Sequence, residues 1–168
     1  RCSSDAYSKG LTVRLLNDID LDDAELSVPI FLGTFDGQGH RISGLTLSGS
    51  ATGYGLFSNI AKGAEVKSLI VEGTITPSGT QSRIGGIAGD NYGAITNCTF
   101  SGTVTGSDTV GLIAGYNGSS GVITGCSAAG TVHATTAAGG VAGKNYGTIS
   151  GCTTTAAINT ELKESEIT

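Results

Sequence analysis

Residues Gly85–Val104 read GGIAGDNYGAITNCTFSGTV, and the chain repeats this stretch with edits, as GLIAGYNGSSGVITGCSAAGTV from Gly111 and GGVAGKNYGTISGCTTTAAI from Gly139. A more diverged copy, GLFSNIAKGAEVKSLIVEGTI, starts at Gly55, so successive copies begin 30, 26 and 28 residues apart. Self-similarity at this period marks a repeat architecture, in which each unit is too small to bury an apolar face alone and gains a core by stacking on its neighbours.

Inside the copies runs a ladder: an aliphatic residue followed three positions later by Leu, Ile or Cys. It occurs as Leu16/Ile19, Ile42/Leu45, Val66/Leu69, Ile95/Cys98, Ile123/Cys126 and Ile149/Cys152, in steps of 26, 24, 29, 28 and 26 residues. From the second member onward apolar residues and glycine alternate with period two, as in Leu45-Leu47-Gly49, Leu69-Val71-Gly73-Ile75, Cys98-Phe100-Gly102-Val104, Cys126-Ala128-Gly130-Val132 and Cys152-Thr154-Ala156-Ile158. Strict alternation is a strand with one buried face. The three-residue gap before it breaks the alternation and predicts a bend or bulge. A unit of this length is too long for a hairpin and lacks helical periodicity, so stacking equivalent positions gives an all-β right-handed parallel β-helix of about six coils of 24–30 residues. Residues 11–158 form the solenoid. Residues 1–10, ending in Gly10, are expected to be the remnant of an N-terminal cap, the tail of a helix closed by glycine. Residues 159–168, charged and without the repeat, are a C-terminal cap or linker.

In register, Leu47, Val71, Phe100, Ala128 and Thr154 should share one inward column, with the large ring above a small alanine. Asn91, Asn117 and Asn145, each six residues after the opening glycine of its copy, should stack as an asparagine ladder at one turn. Cys98, Cys126 and Cys152 fall in one inward column where Leu45 and Leu69 stand earlier. Stacked side chains run parallel, leaving β-carbons about 4.8 Å apart rather than the roughly 3.8 Å of a disulfide, so free, inert, buried thiols are expected. A straight column cannot wrap a tetrahedral zinc ion. Cys2 lies outside the repeat.

Composition agrees with a strand-rich solenoid. The chain holds 28 Gly, no Met and no Trp among 168 residues, only 14% of them charged, with a net charge of −5. An acidic chain without a basic stripe is a poor partner for nucleic acid, and no apolar run is long enough to insert in a membrane. Beginning at Arg1 without a leader, the sequence is expected to be a fragment or processed product.

Catalytic signals are sparse. His40 and His133 are the only histidines and have no metal-ligand spacing. Asp18, Asp20, Asp22 and Asp23 cluster, and the first three should share a strand face that could offer oxygens to calcium; a solvated edge that discourages aggregation is the plainer role. No catalytic residues, cofactor or metal are expected. The outer face of the alternating strand, with Thr99, Ser101, Thr103 and Thr131, is a flat platform of small, mostly uncharged groups. Tyr92 and Tyr146, both in Asn-Tyr-Gly turns, offer rings of the kind that stack on sugars or contact proteins. Ordinary β-surface and turn packing are the plain alternatives for both.

The segments GLFS, GGIAG, GLIAG and GGVAG, each with its following Asn, Ile-x-x-Cys and Gly-x-Val, resemble the GLUG motif. The preceding LLNDIDL, VPI and FLGTFDGQGHRISGLTLSG resemble the lead-in to such repeats, together covering roughly 11–158. The resemblance implies a right-handed β-helix of secreted or surface-anchored bacterial proteins, adhesin-like proteins and the region ahead of the catalytic domain in M26-type immunoglobulin A1 proteases. It supplies no catalytic residues. The function expected is a non-catalytic extracellular module that binds a host protein or glycan or positions a neighbouring domain of the parent chain. A pectin-lyase-like carbohydrate-active β-helix is the alternative, weakened because hydrolysis needs carboxylates at acid/base distances. A rigid spacer is another, and an ice-binding face is disfavoured by irregular threonine ranks.

Overall fold

The computed structural model describes residues 7–50, 53–80 and 82–160. Every regular element in it is a β-strand, and every strand pair is parallel. The strands form four stacked sheets that wrap one core, a parallel β-helix. The first sheet has six short rungs: Thr12–Arg14, Thr34–Asp36, Glu65–Lys67, Ala94–Thr96, Val122–Thr124 and Thr148–Ser150. The long sheet, also of six, contains Ile19–Asp20, Arg41–Leu47, Ile70–Ile75, Thr99–Thr105, Ser127–Ala134 and Thr153–Thr160. The asparagine sheet has five rungs, from Val28–Phe31 to Ala142–Asn145, and a short sheet of three adds Ser82–Gly85, Asp108–Gly111 and Ala138–Gly139. No helix long and apolar enough to cross a membrane is present among the described residues.

The break in alternation is a corner with a left-handed backbone. Ser68, Asn97, Gly125 and Gly151 occupy it with φ of 50°, 51°, 63° and 60°. A single left-handed residue between the first and long sheets turns the chain and sends the next side chain, Leu69 or a Cys, into the core.

The inward columns of the later coils lie where the sequence puts them. Val66, Ile95, Ile123 and Ile149 stack on the first sheet, and Val71, Phe100, Ala128 and Thr154 on the long sheet. The early coils require correction. Ile42, not Leu47, pairs with Val71; Leu45 pairs with Gly73 rather than standing in the cysteine column, and Leu47 pairs with Ile75. The register shifts between Ile42 and Leu45, where Gly44 has φ +65°. One extra residue there, a β-bulge, offsets the rest of the strand. Phe35 takes the column position below Val66, and Val13 the one below that. Ile19 pairs with Ile42, and Leu16 is 76% exposed instead of joining the core. The first coils are also less regular than expected, with 22 residues from Thr12 to its partner Thr34 and 31 from Thr34 to Glu65.

The glycines of the Gly-x-Val stretch are explained by how closely the coils approach. A Cβ on Gly102 would lie 1.8 Å from the carbonyl oxygen of Gly73, and one on Gly130 would lie 1.8 Å from that of Gly102. Their φ values of +151° and +134° also disfavour any side chain. The second position of each motif copy compensates for the core. Gly86 leaves room for Phe100, whose Cδ2 would be 2.3 Å from a Cβ there. One coil on, Leu112 occupies that position where Ala128 replaces the ring. Both Gly86 and Phe100 are fully buried.

The asparagines form a hydrogen-bonded chain along the axis. Asn91 Nδ2 donates to Asn117 Oδ1 at 2.8 Å, and Asn117 Nδ2 donates to Asn145 Oδ1 at 2.8 Å. Asn91 and Asn117 are 0% exposed, so their amides depend on these bonds and on local backbone groups such as the Gly93 N–H and the Gly121 carbonyl.

At the N-terminal end, Tyr7–Gly10 is a turn. Ser8 is buried and its hydroxyl accepts from the Leu32 N–H at 2.9 Å. Residues 1–6, with Cys2, lie outside the described residues, as do 161–168; the last strand continues to Thr160.

Two predictions follow from the packing. Phe100→Ala should destabilise by about 3–5 kcal/mol in urea unfolding, and Gly86→Leu alone should overpack the core. Combined, they reproduce the Leu112/Ala128 pair of the next coil and should recover part of the loss; a double mutant no more stable than the sum of the singles contradicts the compensation. Asn117→Ala strands the buried Asn91 amide without its acceptor and should cost about 1–3 kcal/mol, whereas an unchanged urea midpoint would show the ladder to be dispensable.

Candidate functional site

The asparagine sheet and the turn after it carry a ladder of three tyrosines. Tyr92 and Tyr146 each follow a ladder asparagine, but the coil between them has Gly118 at that position. Its tyrosine comes two residues earlier, as Tyr116, in the column of Asp90 and Lys144. Residues two apart on a strand share a face, so Tyr116 reaches the same edge. Its ring centroid lies 6.0 Å from that of Tyr92 and 5.6 Å from that of Tyr146, with interplanar angles of 53° and 46°. The ring of Tyr92 lies over Gly118, where a Cβ would come within 2.4 Å of it. Tyr116 was missed in the sequence because it sits before its asparagine; the period-two rule applied to Gly118 would have found it.

Charged side chains complete the edge. The Arg83 guanidinium carbon stands 4.8 Å above the Tyr116 ring centre, and its Nη1 is 3.2 Å from Asp90 Oδ1. Lys144 Nζ lies 5.5 Å from the Tyr146 ring centre. Burial pushes the Asp90 carboxyl up, against the pull of Arg83. A polar recess of about 340 Å³, lined by Gly53, Ser82, Arg83 and Asp90, opens on one side. A shallower one of about 380 Å³ includes Glu65, Tyr92, Ser120 and Val122. The three rings are not equally available: Tyr92 and Tyr116 are half-buried, with one face of Tyr116 under the guanidinium, and Tyr146 is 59% exposed. The edge is therefore an aromatic rail with cations at its side and one open ring at its end. Such an arrangement can hold an apolar or ring-shaped surface and donate hydrogen bonds to it.

The Thr/Ser platform is on the outer face of the long sheet. Thr46, Thr74, Thr103 and Thr131 stack in one column. Thr99 stands between Ile70 and Ser127, and Ser101 between Glu72 and Ala129. Its charged corner is the Arg41–Glu72 pair, Nε to Oε1 3.3 Å. The platform is separate from the tyrosine edge, which belongs to another sheet and its turn.

Cys98, Cys126 and Cys152 are free thiols, the first two buried. Each Sγ approaches a carbonyl of the coil before and one of its own coil, as Cys98 does Val66 O at 3.5 Å and Thr96 O at 3.4 Å. The adjoining Cys126 thiol and burial push the Cys98 thiol up, and the same hydrogen bond lowers Cys126 to about 7.

The acidic cluster does not share a strand face. Its strand is only Ile19–Asp20, and Asp22 and Asp23 follow in a turn with φ of 50° and 58°. Asp20 Oδ1 accepts from the Asp22 N–H at 3.0 Å, closing that turn. Asp18 Oδ1 accepts from the Arg41 N–H at 3.0 Å and lies 3.1 Å from His40 Nδ1; these contacts hold its carboxyl below the usual range. Among the described residues no group of three or more His, Cys, Asp or Glu side chains is placed to hold a metal ion. Asp36 ends the strand Thr34–Asp36, and its Oδ1 accepts from the Gln38 N–H in the turn that follows.

Comparison with known proteins agrees with this architecture. Residues 80–105, the coil that contains Asn91, Cys98 and Phe100, match the GLUG motif. Over 102 residues, 60% of the chain, the sequence is 32% identical to Halomucin of Haloquadratum walsbyi (strain DSM 16790 / HBSQ001). The matched stretch is 1% of that protein's length. No solved structure matches the chain. The motif match in one coil, with the coil-on-coil register that extends to either side of it, describes a parallel β-helix that carries a GLUG motif.

Proposed function

We propose that this β-helix is a non-catalytic recognition module of a larger surface protein, and that it binds a host protein or glycan through the edge formed by Tyr92, Tyr116 and Tyr146. The observation that carries it is the tyrosine rail flanked by Arg83 and Lys144. Tyrosine and arginine dominate the energetics of protein interfaces because they combine large area, few rotatable bonds and polar tips. The same rings offer faces to sugars. The match to Halomucin and the GLUG motif support a surface-protein setting. An extracellular location, adhesion, an origin in bacteria and kinship with immunoglobulin A1 proteases are the finer parts of the proposal.

The scaffold suits the task. Coils that hydrogen-bond along their whole length hold the rail rigid, so little ordering entropy is lost on binding. The Thr/Ser platform of Thr99, Ser101, Thr103 and Thr131 is the second surface on offer, suited by its flatness to docking a neighbouring domain of the parent chain.

A screen against immobilised immunoglobulin A, mucins and a glycan array tests the proposal. Saturable binding should fall at least tenfold in Tyr146→Ala and in Tyr116→Ala, with unfolding midpoints near that of the parent. Binding that survives both substitutions moves the site to the platform. Binding to nothing in the screen favours a rigid spacer.

A further inference from the structure

The chain contains two Asn-x-Ser/Thr triplets, Asn97-Cys98-Thr99 and Asn117-Gly118-Ser119, and the fold treats them in opposite ways. This triplet is the acceptor for N-linked glycans in exported proteins, and it requires a side-chain amide that can carry a bulky group into solvent. Asn117 fails that requirement. It is 0% exposed, its Nδ2 donates to Asn145 Oδ1 and approaches the carbonyls of Gly121 and Thr148, and its Oδ1 accepts from Asn91. A sugar on that nitrogen would replace bonds that run along the axis.

Asn97 meets it. It is exposed, at the left-handed corner between the first and long sheets, with φ 51°. Its side-chain amide takes no part in the hydrogen bonds that join the coils, which at this corner run through its backbone N–H to the Thr124 carbonyl. The same corner in the next two coils is Gly125 and Gly151. No side chain stands above Asn97 along the corner, and a Cβ on Gly125 would come within 2.4 Å of its Oδ1. The corner therefore has an exposed acceptor amide with glycine in the same column of the next two coils. Thr99, the hydroxyl residue of the triplet, is on the outer face of the long sheet, while Cys98 between them is buried.

We propose that Asn97 is an N-glycosylation site and that Asn117 is not. The donor is an oligosaccharide linked to a polyprenyl diphosphate. A C1–N bond forms to Asn97 Nδ2, the C1–O bond to the diphosphate breaks, the amide gives up one proton and the lipid diphosphate leaves. The inference rests on the export of the chain, the surface-protein part of the proposed function, and is independent of whether the tyrosine edge binds anything.

The test is secretion of the whole chain from a eukaryotic host behind a cleaved leader, followed by intact-mass and peptide mass spectrometry before and after peptide N-glycosidase. The expected result is a glycan released by the enzyme, with Asn97 converted to Asp in the peptide. Asn97→Gln and Thr99→Val should each abolish it, the latter leaving the asparagine at its left-handed corner, and Asn117→Gln should leave the glycan on Asn97 in whatever chain is secreted. Secreted, folded protein with an unmodified Asn97 overturns the proposal, as does sugar on Asn117. Loss of binding in the glycan or immunoglobulin screen alone leaves this result unaffected, so the two inferences fail separately.

Discussion

Parallel pairing sets each coil one inter-strand spacing above the last, and the rest of the structure answers to that spacing. At this distance every residue faces its own equivalent, so the molecule is a set of columns more than a set of strands. A column must be able to stack on itself. Glycine does so at Gly102 and Gly130, where a Cβ would strike the carbonyl of the coil before. Asparagine does so by donating to the next asparagine, and cysteine does so as a column of free thiols. Where one column holds a residue too large to repeat, a neighbouring column yields: Gly86 makes way for Phe100, and Leu112 fills in where Ala128 falls short.

That logic also determines what could be read from the sequence. The copies from Gly55 onward carry like residues at like positions, so the fold, the asparagine ladder and the later inward columns were legible from spacing alone. The first coils were not. A ladder defined by a three-residue gap accepts Ile42/Leu45 as readily as Val66/Leu69, yet in the structure the former pair spans a bulge at Gly44 and the latter turns a corner at Ser68. Identical spacing arose from different backbone geometry. Leu16 was misplaced for the same reason, since it satisfies the gap but belongs to no sheet. The acidic cluster was misread because its strand is two residues long and its remaining members sit in a turn.

The candidate site shows the same division. Tyr92 and Tyr146 were visible as copies of one motif position. Tyr116 was hidden because the third ring reaches the edge from a different position, and only the alternation of the strand reveals that. Arg83 was invisible for a stronger reason: it comes from the short sheet, whose packing against the tyrosines is a property of the closed coil. Exposed apolar groups concentrate at the first coil, where Val13, Ile19 and Leu26 surround an apolar cavity of about 260 Å³ lined also by Phe35 and Phe57.

If stacking in register is the central constraint, one whole coil can be removed and half a coil cannot. Deleting residues 85–110, 26 residues from the opening glycine of one copy to the residue before the next, joins Ile84 to Gly111 and keeps every column intact. The variant should show the parent's β-sheet circular dichroism and a single cooperative urea transition at a lower midpoint. Deleting 85–97 breaks the columns and should not fold. An unfolded whole-coil deletion, or a half-coil deletion as stable as the whole-coil one, would contradict the account.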